Sequence, residues 1–132
     1  MLLVLLFLST LACSFAQDVP TASISTHVLD TANGTPAAQV QVLAYVQEQN
    51  GWRNIGTQFT QYNGRVNWVS PNYTLVPGVY KLAFRVEEYY KGLGQDCFYP
   101  IIEVTFTIKD ATQHYHVPIT LSPYGYSTYR GA

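Results

Sequence analysis

The sequence predicts an all-β domain, a sandwich or barrel of about eight strands with one short helix. Three observations carry that expectation. Past Ala16, 41 of 116 residues are Val, Ile, Thr or Tyr, side chains that fit a pleated, half-buried surface. They fall in short runs, several of them alternating, as a strand with one buried face requires. Gly, Pro and Asn clusters punctuate the runs, as they do in a sandwich or barrel.

The first run, ASISTHVLD at 22–30, puts Ile24 and Val28 on one face and Ser23, Ser25 and His27 on the other. Asn33-Gly34 separates it from AQVQVLAYVQ at 38–47, and Asn50-Gly51 separates that run from WRNIGTQFT at 52–60. Asn63-Gly64 precedes RVNWV at 65–69, where Val66 and Trp68 oppose Arg65 and Asn67. Such Asn-Gly pairs favour tight hairpin turns. Pro77-Gly78 opens VYKLAFRV at 79–86, and Val86–Leu93 is the one helical candidate. EVTFTI follows at 103–108, then HYHVPITL at 114–121. In that last run Val117, Ile119 and Leu121 share one face, and His114, His116 and Thr120 the other. The turn Ser122-Pro123-Tyr124-Gly125 leads into the eighth strand, GYSTYRG at 125–131.

The N-terminus, MLLVLLFLSTLACSFAQ, has 13 apolar residues in its first 16 and no charge. It is too short for a membrane span of about 20 residues. It reads as a secretory signal peptide over 1–16, with Ser14 and Ala16 placed for cleavage, and leaves one domain at 17–132. A formal net charge of −1 argues against a basic nucleic-acid binder and against a polyanionic tail. Once the signal is removed, no hydrophobic stretch is left to span a membrane. Cys13 departs with the signal, so Cys97 is alone and no internal disulfide can form. Stability then rests on packing, on oligomerisation, or on both. Around Cys13, Thr10 stands where a lipoprotein signal prefers Leu. Asn33-Gly34-Thr35 and Asn72-Tyr73-Thr74 match the N-glycosylation sequon, which matters only in a eukaryotic secretory pathway.

The face parity turns histidines on two strands and Arg65 on a third away from the presumed core. If those strands are neighbours, the outer face of one sheet bears imidazoles and a guanidinium. Each residue also has an ordinary reading, as a surface histidine or a solvated arginine beside a turn. His114-x-His116 projects two rings the same way, but two ligands without Cys or nearby carboxylates fall short of a zinc site. The sequence has no nucleophile elbow, phosphate loop or paired-carboxylate signature. Eleven tyrosines offer stacking surfaces, yet without a basic surface they do not make a nucleic-acid platform.

Three segments carry a family likeness. ISTHVLDTANGTPA at 24–37, NGR at 63–65 and HYHVPITLSPYGYSTYRGA at 114–132 resemble the transthyretin-related family, on its 5-hydroxyisourate hydrolase branch. The likeness spans essentially all of 17–132, and SPYGYSTYRG is its most specific part. It implies an eight-stranded sandwich with one short helix, assembled as a homotetramer, with active sites on the polar outer face of a sheet at a dimer–dimer interface. It implies ring-opening hydrolysis of 5-hydroxyisourate, a urate-degradation intermediate, without a cofactor or metal. Matched to the family's motifs, His27 and His116 fall to proton transfer and water positioning, with neither chosen as the base. Arg65 falls to substrate binding and oxyanion stabilisation, and His27 and Tyr129 to contact with substrate. His114 falls to support, and Arg130 to ordering the terminus by ion pairing.

Two positions depart from the hydrolase pattern. Ala132 stands where the family usually has a terminal Ser, and Asn63 where it commonly has Asp. The rival on the same scaffold is a secreted transthyretin-like carrier for thyroid hormone or another small aromatic ligand. Transthyretins keep the Ser-Pro-Tyr and Tyr-Ser-Thr elements but lack the histidines and the arginine. The segment 1–16 implies a secreted protein, periplasmic in a bacterium, and RGA is no peroxisomal signal.

Overall fold

The computed structural model describes residues 18–132. The expected signal peptide at 1–16, with Cys13, lies outside them. The described residues form ten strands and one helix in two sheets. One sheet is built around β1 (Ile24–Asp30), which pairs antiparallel with β2 (Thr35–Pro36) and β5 (Arg65–Val66). β1 also pairs parallel with β8 (Tyr115–His116) and β9 (Ile119–Ser122), and β10 (Gly125–Thr128) closes that edge. The second sheet runs in the order β4 (Gly51–Phe59), β3 (Gln41–Glu48), β6 (Gly78–Phe84), β7 (Ile102–Ile108).

The core lies between the sheets, where the inward residues of alternating strands meet. Ile24 and Val28 of β1 and Ile119 and Leu121 of β9 are fully buried, opposite Val42, Ala44 and Val46 of β3 and Leu82 and Phe84 of β6. Each Val, Leu, Ile or Phe among them contributes about 1.5–3 kcal/mol when fully buried. The helix α1 (Val86–Gly92) buries Val86 and Tyr90, one turn apart, and carries Glu87 and Glu88 in its first turn and Lys91 in its last. That charge order suits the helix dipole. Gly94, at φ +68°, reverses the chain after it.

Four expectations need correction. HYHVPITL is two strands rather than one, because Pro118 lacks the N–H that a continuous ladder needs. RVNWV is a strand only at its first two residues, so its alternation lapses and Val69 is buried although it shares parity with Arg65. Asn33-Gly34 turns β1 back on β2, not on β3. The turn at Asn63-Gly64 joins strands of different sheets, β4 and β5, so it is no hairpin. The β3–β4 hairpin does form, with Gln49 and Asn50 between the paired Glu48 and Gly51.

Asp30 ties α1 to the first sheet. It is 1% exposed, and its carboxylate accepts from Tyr89 Oη at 2.7 Å, Tyr90 Oη at 3.3 Å, and Asn33 Nδ2 and backbone N at 2.6 and 3.0 Å. Burial pushes the carboxyl's pKa up, but these bonds outweigh it and hold Asp30 below the usual carboxylate range. Burial and the Asp30 charge push both phenols well above theirs. Cys97 is free and half-buried, its thiol donating to the Tyr99 carbonyl at 3.5 Å.

Candidate active site

The site forms because β1 has different neighbours on its two sides. Ser25 lies opposite His116 in the parallel pairing with β8, and His27 lies opposite Arg65 in the antiparallel pairing with β5. Alternation puts all four on the outer face. A cleft of about 390 Å³ opens there, lined by Ser25, Arg65, His114, His116 and Ala132, among others. Ser23 and Ser25 share the parity of His27 but are buried, because the imidazoles of His114 and His116 bond to their hydroxyls. The outer face is therefore two layers deep at this point.

The turn before β5 aims Arg65 and holds His27. Gly64 sits at φ +76°, and a Cβ there would stand 2.4 Å from the Val28 carbonyl oxygen, so only glycine fits. Its own carbonyl accepts from Val28 N–H at 2.8 Å. The Asn63 side-chain oxygen accepts from Arg65 N–H at 3.1 Å, and the Asn63 carbonyl lies 2.9 Å from His27 Nε2. A carbonyl only accepts, so His27 Nε2 carries the proton. The departure at Asn63 keeps the acceptor oxygen that an Asp would supply.

His116 is gripped on two edges. Its Nδ1 is 2.8 Å from Ser25 Oγ. On the other edge Gly131 N–H donates to the His116 carbonyl at 2.8 Å, and a Cβ on Gly131 would stand 2.4 Å from His116 Cδ2. The glycine of the Tyr-Arg-Gly ending lets the chain close on the ring. Nε2 is left without a bond to the described residues. Burial lowers the pKa of His116 below its ordinary value, and the Arg65 charge lowers it further, followed by His114 and His27. Burial and Arg65 lower His27 likewise, against the bond to Asn63. Both shifts favour the neutral imidazole, the form that accepts a proton.

His27, Arg65 and His116 are thus brought together. Tyr129 is not. It is 60% exposed and lines a separate, mainly apolar hollow of about 220 Å³ with Val104, Phe106 and Tyr115. Among the described residues Arg130 has no ion-pair partner: it donates to Gln113 Oε1 at 3.1 Å and lies 4.9 Å over the Tyr115 ring. Among the described residues, no three His, Cys, Asp or Glu side chains converge as a metal site would need.

The HIUase/Transthyretin family profile matches residues 24–131. The chain belongs to that family. A probable 5-hydroxyisourate hydrolase of Caenorhabditis elegans is 59% identical over 124 residues, covering 94% of this chain and 92% of the relative. The structure of Klebsiella pneumoniae 5-hydroxyisourate hydrolase superimposes with a TM-score of 0.74 at 30% identity, covering 83% of this chain and 99% of that one. Transthyretin from Sparus aurata superimposes with a TM-score of 0.77 at 27% identity, covering 83% and 97%. Backbone likeness therefore does not separate hydrolase from transthyretin. The residues on the outer face must do so.

Sequence reasoning put Ser25 on the right face but gave it no role. Its parity with His27 was the available signal. The parallel pairing that sets it against His116 joins segments 91 residues apart, and no local pattern encodes it. The contact of Gly131 with His116 left no sequence signal beyond the glycine itself.

Proposed function

We propose that this protein is a cofactor-independent hydrolase that opens the ring of 5-hydroxyisourate, giving 2-oxo-4-hydroxy-4-carboxy-5-ureidoimidazoline in urate degradation. One observation carries the reading: the His116 imidazole and the Arg65 guanidinium face one cleft, with His27 paired to Arg65 on the neighbouring strand, on a chain that matches named 5-hydroxyisourate hydrolases along most of its length. An imidazole takes a proton from water as the water oxygen bonds to the ring carbonyl carbon. The carbon–nitrogen bond then breaks, and the departing nitrogen receives that proton. Arg65 presents a planar fork of donors to a flat ring and stabilises negative charge on the attacked carbonyl oxygen. His27 and His116 share proton transfer and water placement.

The working form is a homotetramer in which a second copy encloses the open cleft. Tyr129 stands outside its own chain's cleft, so its contact with substrate belongs to such an assembly. Closed symmetric assembly is the usual outcome for a chain of this kind. The protein acts after export directed by residues 1–16, as a secreted or, in a bacterium, periplasmic enzyme.

The test generates 5-hydroxyisourate from urate with urate oxidase and follows its absorbance. Decay that accelerates in proportion to added protein is expected. Unchanged decay together with saturable thyroid-hormone binding would favour the carrier instead.

A further inference from the structure

The hydroxyls and imidazoles beneath the cleft form a chain whose proton positions follow from one end. Ser23 Oγ donates to the Pro20 carbonyl at 2.7 Å. A hydroxyl has one hydrogen, so toward His114 Nδ1, 2.9 Å away, Ser23 can only accept, and that nitrogen carries a proton. In neutral His114 the other nitrogen is then bare. Nε2 accepts from Ser25 Oγ at 2.8 Å, which uses the one hydrogen of Ser25. Ser25 in turn accepts from His116 Nδ1 at 2.8 Å. Neutral His116 therefore has its lone pair on Nε2, the ring nitrogen that no described residue engages.

His27 is held in the opposite sense. Its Nε2 proton goes to the Asn63 carbonyl, and its lone pair falls on Nδ1, the nitrogen nearer the backbone. We propose that His114 is a positioning residue which, through Ser25, fixes His116 in the Nδ1-protonated form and so makes His116 Nε2 the general base of the cleft. The proposal deepens the hydrolase reading and rests on it. A proton added to His114 reverses the chain: Nε2 then donates to Ser25, Ser25 donates to His116 Nδ1, and the His116 lone pair no longer faces outward. The charged and titratable groups around His116 are Arg65 from β5, His27 from β1 and His114 from its own segment.

The test compares His114→Phe, His114→Gln and Ser25→Ala in the full-length protein, reading kcat, KM and the nitrogen-15 spectra of the histidine rings. Phe at 114 leaves Ser25 free to turn and donate to His116 Nδ1, which moves the ring proton to Nε2. We expect kcat to fall about tenfold to a hundredfold, short of or equal to the loss of a whole general base, with KM little changed. Gln places an acceptor oxygen near the position of His114 Nε2 and should recover most of kcat. Ser25→Ala should lower kcat as Phe does, with no recovery on adding Gln at 114. The wild-type spectrum should show His116 protonated at Nδ1 and bare at Nε2. A bare Nδ1 in the wild type, or wild-type kcat in His114→Phe with an unchanged His116 spectrum, overturns the proposal. A wild type that leaves 5-hydroxyisourate decay unchanged overturns the hydrolase reading instead, and the spectra still decide the proton chain.

Discussion

At the C-terminal end of β1, the Asp30 carboxylate is buried and both its oxygens accept bonds from Asn33, Tyr89 and Tyr90. Three to five residues earlier, Ser25 and His27 belong to a cluster that is just as polar but left open. There the Arg65 fork faces the cleft, and His116 Nε2 meets no described residue. Both regions draw on the same strand and the same kinds of bond. They differ in whether donors and acceptors are used up within the chain. Where all are used, the group fastens two elements together, as Asp30 fastens α1 to the first sheet. Where some are left over and aimed at a cavity, the polar groups are available to a ligand or a reaction.

The largest expected effect breaks the open region alone. Arg65→Glu puts a negative charge where an oxyanion forms, and we expect activity to fall by at least about 10²–10³-fold, the loss seen for an oxyanion-hole donor. Arg65 is exposed and takes no part in an ion pair with a described residue, so the unfolding midpoint in urea should barely move. Arg65→Lys should rescue poorly, because an ammonium is a point charge rather than a fork. An Arg65→Glu protein with wild-type turnover would remove Arg65 from the mechanism.

Acid separates the two regions next. His27 and His116 are held below the ordinary histidine value of about 6.5, so their neutral, basic forms persist to lower pH than in a free histidine. As pH falls through the lowered values the base is lost, and kcat/KM should drop about tenfold per pH unit. The sign for stability is the same, since a depressed group stabilises the fold above its unfolded value. Asp30 is also depressed, so its contribution is complete above the unfolded carboxyl value of about 3.9 and disappears only as pH falls through the still lower folded value. On the acid side of the lowered histidine values and above that of Asp30, circular dichroism should report a folded protein that has lost most of its activity. Coincident loss of structure and activity would deny the separation.

The fold was more legible than the site because the two rest on different distances in sequence. Alternation and turn punctuation are local, and they pointed to the core residues Ile24, Val28, Ile119 and Leu121 and to α1. The site needs β8 and β5 to flank β1, pairings that no local signal specifies. Side-chain parity could put His27, Arg65 and His116 on outer faces, and the family likeness could group them. Neither could show that Ser25 is buried beneath His114 and His116. Tyr129 carries the family's motif, yet within one chain it lies apart from the cleft. Its part, if the assembly is as proposed, is set by a neighbouring copy.

The closed region yields a smaller effect, read as stability. Asp30→Asn keeps the shape but removes the charge and confronts one tyrosine hydroxyl or Asn33 with an N–H instead of an acceptor. Charge-assisted bonds are about twice as strong as neutral ones, and we expect a loss of about 1–3 kcal/mol in urea unfolding. Turnover per folded molecule should be unchanged. A matching loss of kcat would mean that the two ends of β1 are coupled.

The smallest effect concerns Ala132, the cleft-lining residue that departs from the family pattern. If the usual serine hydroxyl donates one neutral hydrogen bond to substrate or attacking water, its absence costs about 0.5–1.5 kcal/mol in the transition state. That corresponds to roughly twofold to tenfold in rate. The smaller scale is favoured by the structure beside it. The tilt of the His116 ring is fixed by Ser25 and Gly131, and neither contact involves the Ala132 side chain. Arg65 is aimed by the Asn63 turn on another strand. Water can also occupy the space a hydroxyl would fill in so open a cleft. Ala132→Ser should therefore raise kcat/KM modestly, with an unfolding midpoint unchanged at this exposed position. A gain of several hundredfold from near zero would show that the open region needs that hydroxyl to act at all, and the natural protein would then be a non-catalytic member of its family.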